Sequence, residues 1–357
     1  MDLPVVPPIK PMLAKAIAAI PETGGMAFEP KWDGFRCIVF RDRDEVFLGS
    51  RNERPLTRYF PELIEPLKHS LPDKAVVDGE IIVTINDHLG FDALQQRIHP
   101  AESRVQRLAA ETPAEFVAFD LLALGSKSLM NTRFDARRSE LERIGARFEP
   151  PIHIAASTLD IEIAKAWHQS FEGAGLDGLI AKPLDGVYEQ NKRKQLKIKY
   201  TRTADVVVAG FRIHKDGNGV GSLLVGLHDD QGALHHMGVA ASFSAARRTE
   251  LLDLLAPQVL DDPSTHPWSS WMQAETHSTG TLMPGAPHRW NGAKGTQTWA
   301  PLGCDLVVEV KYEGTLNGRF RGTTRMVRWR PDRDAPSCRY DQLVVPEPLG
   351  IGSVLNP

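Results

Sequence analysis

Apolar residues in this chain come in short runs of strand length, each closed by a turn signal. That rhythm restricts the fold more than any other feature of the sequence. Phe35–Phe40 and Val46–Leu48 flank the charged turn Asp42–Glu45 and predict a hairpin. Val76–Val83 predicts a strand with Asp-Gly in its middle. Phe116–Leu122 and Leu179–Lys182 predict buried strands, and Leu196–Tyr200 one in which lysine alternates with apolar residues. Helices are fewer: Phe91–Ile98, Ser139–Gly145 and the amphipathic Ile161–Gly173. The strands do not follow a simple βαβ order. Residues 1–200 therefore predict a mixed α/β (α+β) domain.

A break falls at Thr201–Thr203. Beyond it, Ala204–His214, Ser222–His228, His235–Val239, Asp305–Tyr312 and Met326–Arg330 read as strands. One helix, Ser244–Ala256, has Ser244 as its N-cap, leucines 251, 252, 254 and 255 as its stripe and Pro257 as its stop. Short strands with a single helix predict a small β-barrel of the OB type over 204–335. The Trp-, Pro- and Gly-rich stretch Pro263–Pro301 is expected to be a long covering loop, and residues 336–357 an extended tail.

The 357 residues suit two domains, and 42% hydrophobic with 24% charged content suits a globular protein. No apolar run nears the ~20 residues that span a bilayer. The N-terminus lacks a charged region ahead of an apolar core, so it does not read as a signal peptide. Three scattered cysteines, Cys37, Cys304 and Cys338, exclude a disulfide framework and a four-cysteine zinc site. A bacterial cytoplasm, close to the nucleoid, is the expected location. The net charge of −3 argues against a general nucleic-acid coat. Two basic blocks, Asn191–Arg202 and Arg319–Arg333, suit local phosphate contacts instead.

Chemistry concentrates in Glu29-Pro30-Lys31-Trp32-Asp33-Gly34-Phe35-Arg36, a K-x-D-G-x-R run. An ammonium is no nucleophile until cations or desolvation favour the neutral amine. A glycine allows close approach of backbone to phosphate, and an arginine supplies a fork of donors. The run predicts a lysine that attacks the phosphorus of a nucleotide. Further pieces follow in order: Ser50-Arg51-Asn52, Asp78-Gly79-Glu80, Phe119-Asp120, Asp177-Gly178 through Lys182, and Lys197-Ile198-Lys199. The two lysines of the last piece share a strand face.

This order resembles the covalent nucleotidyltransferase superfamily of ATP-dependent DNA ligases, RNA ligases and capping enzymes. Arg319–Arg321 and Arg328–Arg333 look like the sixth motif of bacterial ATP-dependent DNA ligases. The similarity is strongest to the compact bacterial ligase C type, and it spans nearly the whole chain. It departs at Asp177, where the family usually has Glu, and at Gln195, where Trp commonly precedes the paired lysines.

The resemblance implies roles. Lys31, Asp33, Arg36, Lys197 and Lys199 form the catalytic set, with Lys31 as nucleophile. Glu29 would accept from the adenine amino group, and Phe119 would stack on the base. Arg36 and Arg51 would hold ribose and phosphate, or the phosphate of a DNA end. Glu80 would bind ribose or a divalent metal, Mg²⁺ or Mn²⁺, and Asp177 would help to hold that metal. Lys182 joins the nucleotide-binding set, and Lys197 and Lys199 would sit at the α-phosphate. Arg328 and Arg330 would meet the departing pyrophosphate, with Asp332 grouped beside them. The implied reaction passes AMP from ATP to Lys31, then to the 5′-phosphate of a nick in duplex DNA, before a 3′-hydroxyl expels it. ATP is favoured over NAD⁺ because the cysteines cannot build the zinc module of NAD⁺-dependent bacterial ligases. A monomer working in repair, beside a repair polymerase or end-binding protein and away from membranes, is expected. Rival readings are an RNA ligase, a capping-type guanylyltransferase, or a non-catalytic OB-type nucleic-acid-binding protein.

Overall fold

The hairpin around Asp42–Glu45 is the seed of the larger sheet in a computed structural model that describes residues 1–269, 299–316, 318–344 and 346–357. Most of the loop expected over Pro263–Pro301 lies outside the described residues. The chain divides into two compact units, Met1–Lys199 with Pro346–Pro357, and Tyr200–Val345.

In the first unit the main strands, in chain order, are β1 Leu13–Ile17, β2 Met26–Pro30, β3 Phe35–Asp42, β4 Glu45–Ser50, β5 Lys74–Ile85, β6 Ala114–Leu124, β7 Gly178–Pro183 and β8 Arg193–Lys199. They form two sheets. One runs β4-β3-β5-β6, antiparallel, with short strands at its margins. The other runs β1-β8-β7-β2, with β1 parallel to β8 and the remaining pairs antiparallel. The first sheet buries Val39, Leu48, Val77, Ile81 and Phe116 against helices, each worth roughly 1.5–3 kcal/mol. Phe28, Trp32, Phe119, Leu179 and Ile198 bring the second sheet and the inner strand β6 into one cluster.

Some boundaries move, for physical reasons. The helix expected over Ser139–Gly145 begins at Phe134. Its buried positions are Phe134, Arg137, Leu141 and Ile144, so a charged residue interrupts the apolar stripe. Arg137 is tolerated there because its Nε and Nη2 donate to Asp120 at 2.8 and 2.9 Å. The strand expected from Leu196 starts at Arg193. The helix Glu102–Glu111 was not anticipated.

The second unit contains β9 Arg202–Ile213, β10 Val220–His228, β11 Leu234–Ala241, β12 Val307–Tyr312 and β13 Arg325–Trp329, ordered β11-β10-β9-β12-β13. The two ends of the sheet are bridged at Thr324, whose N–H donates to Val239 O at 2.9 Å while its carbonyl accepts from Ala241 N at 3.2 Å. This single bridge holds the sheet curled as a half-barrel of the OB type. The helix Ala245–Leu255 is capped by Ser244, whose Oγ accepts from Arg247 N at 3.3 Å. Leu251 and Leu255, four residues apart, are its buried pair; Leu254 is exposed. The chain continues past Leu255 as a short 3-10 turn, Ala256–Gln258.

The end of the chain differs from the extended tail expected over 336–357. Short 3-10 turns at Ala335–Ser337 and Tyr340–Gln342 belong to the second unit. Pro346–Pro357 returns to the first. Its Ile351 and Val354 are buried in the cluster that holds Trp32 and Phe119, and Ile351 N donates to Asp87 O at 2.8 Å. Two apolar side chains, six and three residues before the last residue, gave too short a pattern to announce this docking.

Candidate active site

A cavity of about 220 Å³ opens in the first unit between the two sheets' facing residues. The loop after β2 brings Lys31 and Trp32 to its wall; β3 supplies Arg36, β5 Glu80 and β6 Phe119. From the other sheet come Glu29 on β2, Ile180 and Lys182 on β7, and Arg193, Gln195 and Lys197 on β8. Met12–Ala14 and Arg51 complete it. Ten of the residues singled out from sequence thus lie on or beside one cavity: Glu29, Lys31, Arg36, Arg51, Glu80, Phe119, Lys182 and Lys197 line it, Asp177 contacts the end of Lys31, and Lys199 contacts Asp177.

The Lys31 loop is held by backbone bonds. Lys31 N donates to Gly178 O at 2.9 Å, and Asp177 N donates to Lys31 O at 3.0 Å. These place Lys31 Nζ 2.6 Å from Asp177 Oδ2, an oxygen that Lys199 Nζ also reaches at 3.2 Å. Asp177 keeps 13% of its side chain exposed and Lys31 20%, so the pair sits at the cavity's wet end. Gly34 serves differently from the expected phosphate approach. A Cβ there would collide with the Ile81 carbonyl oxygen and crowd Glu80, so glycine lets the loop lie against β5. Gly79, between Asp78 and Glu80, is likewise fixed: a Cβ would meet the Phe116 ring where β5 bulges against β6.

Arg36 is locked. Its Nε and Nη2 donate to the fully buried Asp78 at 2.5 and 2.6 Å, and Tyr188 Oη donates to the same carboxylate at 2.6 Å. Burial works against the guanidinium's charge, but Asp78 outweighs it and raises the Arg36 pKa further. Its guanidinium carbon lies 4.4 Å from the Phe119 ring centre, and Lys182 Nζ 4.7 Å. Lys182 also donates to Phe119 O at 2.9 Å and pairs with Glu29 at 2.6 Å, while Arg138 approaches Glu29 at 3.5 Å. Burial lowers the Lys182 pKa despite Glu29. Glu80 is pushed up to about 7 by burial, offset in part by Arg36 and Lys31 and reinforced by Asp33.

Arg328, Arg330 and Asp332 lie in the second unit and are not among the residues lining this cavity. Arg328 donates to Glu309 at 2.7 Å. Arg330 Nη1 donates to both oxygens of Asp205 at 2.8 Å, while its Nε and Nη2 fork onto Asp332 at 2.9 Å. His235, one of two adjacent histidines that could suggest a metal, instead contacts Asp229 at 2.7 Å. Among the described residues no cluster of three or more His, Cys, Asp or Glu could hold a metal. Tyr188 and Arg138 were missed by the sequence reading, because nothing local marks a phenol or guanidinium that satisfies a carboxylate over 100 residues away.

The family profile for the ATP dependent DNA ligase domain matches residues 11–200, and that for the ATP dependent DNA ligase C terminal region matches 216–333. The chain belongs to the ATP-dependent DNA ligase family. This ligase is 50% identical over 347 residues to DNA ligase C2 of Mycolicibacterium smegmatis, an alignment covering 97% of each chain. It is 34% identical over 336 residues to the multifunctional non-homologous end joining DNA repair protein LigD of Mycobacterium tuberculosis, covering 91% of this ligase and 39% of that protein. A solved Lig E DNA ligase structure shares the fold at a TM-score of 0.54 and 18% identity, covering 89% of this ligase and 99% of that chain. The two units are accordingly a nucleotidyltransferase domain and an OB-fold domain. Among the described residues no helix is long and apolar enough to cross a membrane.

Proposed function

We propose that Lys31 Nζ is the atom of this ligase that carries AMP. The observation behind this is the shared Asp177 oxygen, contacted by Lys31 and Lys199 together at the mouth of the cavity. Attack needs a neutral amine, so the Lys31–Asp177 pair must open. Lys199 already touches the same oxygen and keeps that carboxylate compensated when Lys31 turns away. The freed ammonium loses a proton to water. The amine forms a bond to the α-phosphorus of ATP as the bond from that phosphorus to the bridging oxygen breaks, pyrophosphate leaves, and the nitrogen gives its second proton to water. AMP passes next to the 5′-phosphate at a nick in duplex DNA, and the 3′-hydroxyl displaces it. Phosphoryl transfer of this type is mostly positioning and charge neutralisation, which suits a wall of Lys and Arg.

The base end of the cavity is the Glu29–Lys182–Phe119 corner. Glu29 is held by Lys182 and faced by Arg138, so its carboxylate is fixed as an acceptor for an amino group. Phe119 has cations against its ring and forms the floor of that corner. Arg51, exposed at the rim, and Lys197 take phosphate oxygens. Glu80 and Asp177 offer the hard oxygens that Mg²⁺ or Mn²⁺ prefers. Two carboxylates completed by nucleotide phosphates match the habit of such ions better than an all-protein cage. When bound, the metal would neutralise charge on the phosphate oxygens. In the barrel, Arg330 ties β13 to Asp205, which leaves Arg328, 61% exposed, as the arginine of its motif better placed for phosphate.

Likeness to the end joining repair protein supports a role in DNA repair. There we place the ligase as a monomer working beside a polymerase or end-binding partner. The deciding experiment incubates the protein with α-labelled ATP or GTP and then with nicked duplex DNA or RNA. Covalent label from ATP, passed to nicked DNA and lost in Lys31→Ala, is the expected result. Label from GTP alone, or sealing of RNA alone, would sink the reading.

A further inference from the structure

Two buried donors in the cavity wall, Trp32 Nε1 and Gln195 Nε2, are left without a partner among the described residues, and the amide is the one on a strand that also carries the lysines. Gln195 is 2% exposed, and its Nε2 makes no hydrogen bond among the described residues. Such a donor bears the full desolvation of its N–H, and folded proteins retain few of them. Its position is informative. On β8, Gln195 lies two residues before Lys197 and therefore on the same face, roughly 6–7 Å along the strand. Lys199 marks the reactive end of that face, beside Asp177, and Gln195 lies toward the opposite end, with only Arg193 beyond it. The neighbouring strand β7 pairs Ile180 with Lys197, so the next inward-facing residue of β7 beyond Ile180 is Lys182, partner of Glu29. Gln195 and Lys182 also share a small pocket of about 20 Å³ beneath the main cavity.

We propose that Gln195 Nε2 donates a hydrogen bond to a ring nitrogen of the purine base, making Gln195 a base-binding residue of the ligase. The inference rests on the cavity being the nucleotide site. A neutral amide suits a neutral ring acceptor, just as the ammonium groups two and four residues along suit phosphate. The donor stays unpaired in the folded chain because its partner arrives with the nucleotide.

The test is AMP binding, which requires no covalent step. Gln195→Met keeps the length of the side chain and removes the donor. It should weaken AMP about three- to tenfold, and raise KM for ATP by the same factor. The adenylation kcat should stay within about twofold, because the lost bond is made equally in ground and transition states. The melting temperature without nucleotide should hold or rise, since the unsatisfied amide donor is gone. Unchanged AMP affinity with a lower melting temperature would overturn the proposal, because the amide would then serve a water in the small pocket. Should Gln195→Met fail to fold, the side-chain amide resonance of Gln195 in the wild type decides. AMP should move it downfield, and an unmoved resonance at saturation overturns the assignment. Absence of lysyl-AMP in the wild type would instead refute the role of Lys31, leaving the AMP titration to judge Gln195 separately.

Discussion

Two carboxylates near one cavity are handled in opposite ways. Asp78 is fully buried, gripped by both prongs of Arg36 and by Tyr188. Asp177 is partly exposed and touched by two lysines through one oxygen. A guanidinium cannot give up its proton and binds a carboxylate through a rigid fork, whereas an ammonium is a mobile point charge that can. The first arrangement is a fixed support; on the proposed role of Lys31, the second is the one that opens. Stability and reactivity are therefore divided between two ends of the same wall.

Mutation can break that division. Lys31→Ala should reduce covalent AMP labelling by about 10³-fold or more while urea unfolding stays within about 1 kcal/mol of wild type. Retained label would remove Lys31 from the reaction. Asp78→Ala should do the reverse, lowering stability by about 3–5 kcal/mol because Arg36 is left buried and uncompensated; a variant as stable as wild type would deny the scaffold role. Asp177→Asn should slow adenylation with a stability change under about 1 kcal/mol, and an equal loss in both would erase the contrast.

Glu80 sharpens the comparison as a third case. Burial pushes this acid up to about 7, so the folded chain holds a proton that the unfolded chain has released. Stability must then fall as pH rises from about 4.5 to about 7. Glu80→Gln should not share that slope, gaining on wild type by roughly 1–3 kcal/mol across the window in chelator. Parallel curves would show the carboxyl to be solvated. The smallest effect belongs to Tyr188→Phe. Its hydroxyl donates to Asp78 and accepts from Met12 N at 3.0 Å, and losing both should cost about 1–2 kcal/mol without changing adenylation.

The reactive end was the more legible of the two in sequence. Lys31, Asp177 and Lys199 stand in short local runs whose residue types already suggest phosphate chemistry. The β3–β4 hairpin was legible for a similar reason, since alternation and a charged turn are local signals. The scaffold end was not. Arg36 and Asp78 are 42 residues apart, and Tyr188 meets Asp78 from 110 residues away. Arg137 hid the start of its own helix, because a charge on an apolar stripe reads as a break until Asp120 is seen beside it. Strand β1 escaped notice because LAKAI is an edge strand with no clean alternation.

The return of Pro346–Pro357 places the barrel, in sequence, between two segments of the first unit. It is an insertion within the first unit, bounded on one side by a covalent junction at Lys199–Tyr200 and on the other by a packed segment. A single protease cut at the junction would not free it, because Ile351 and Val354 would still anchor the far end. Removing those last residues would turn a closed loop into a pendant, with the longer reach and greater configurational freedom of a chain held at one end.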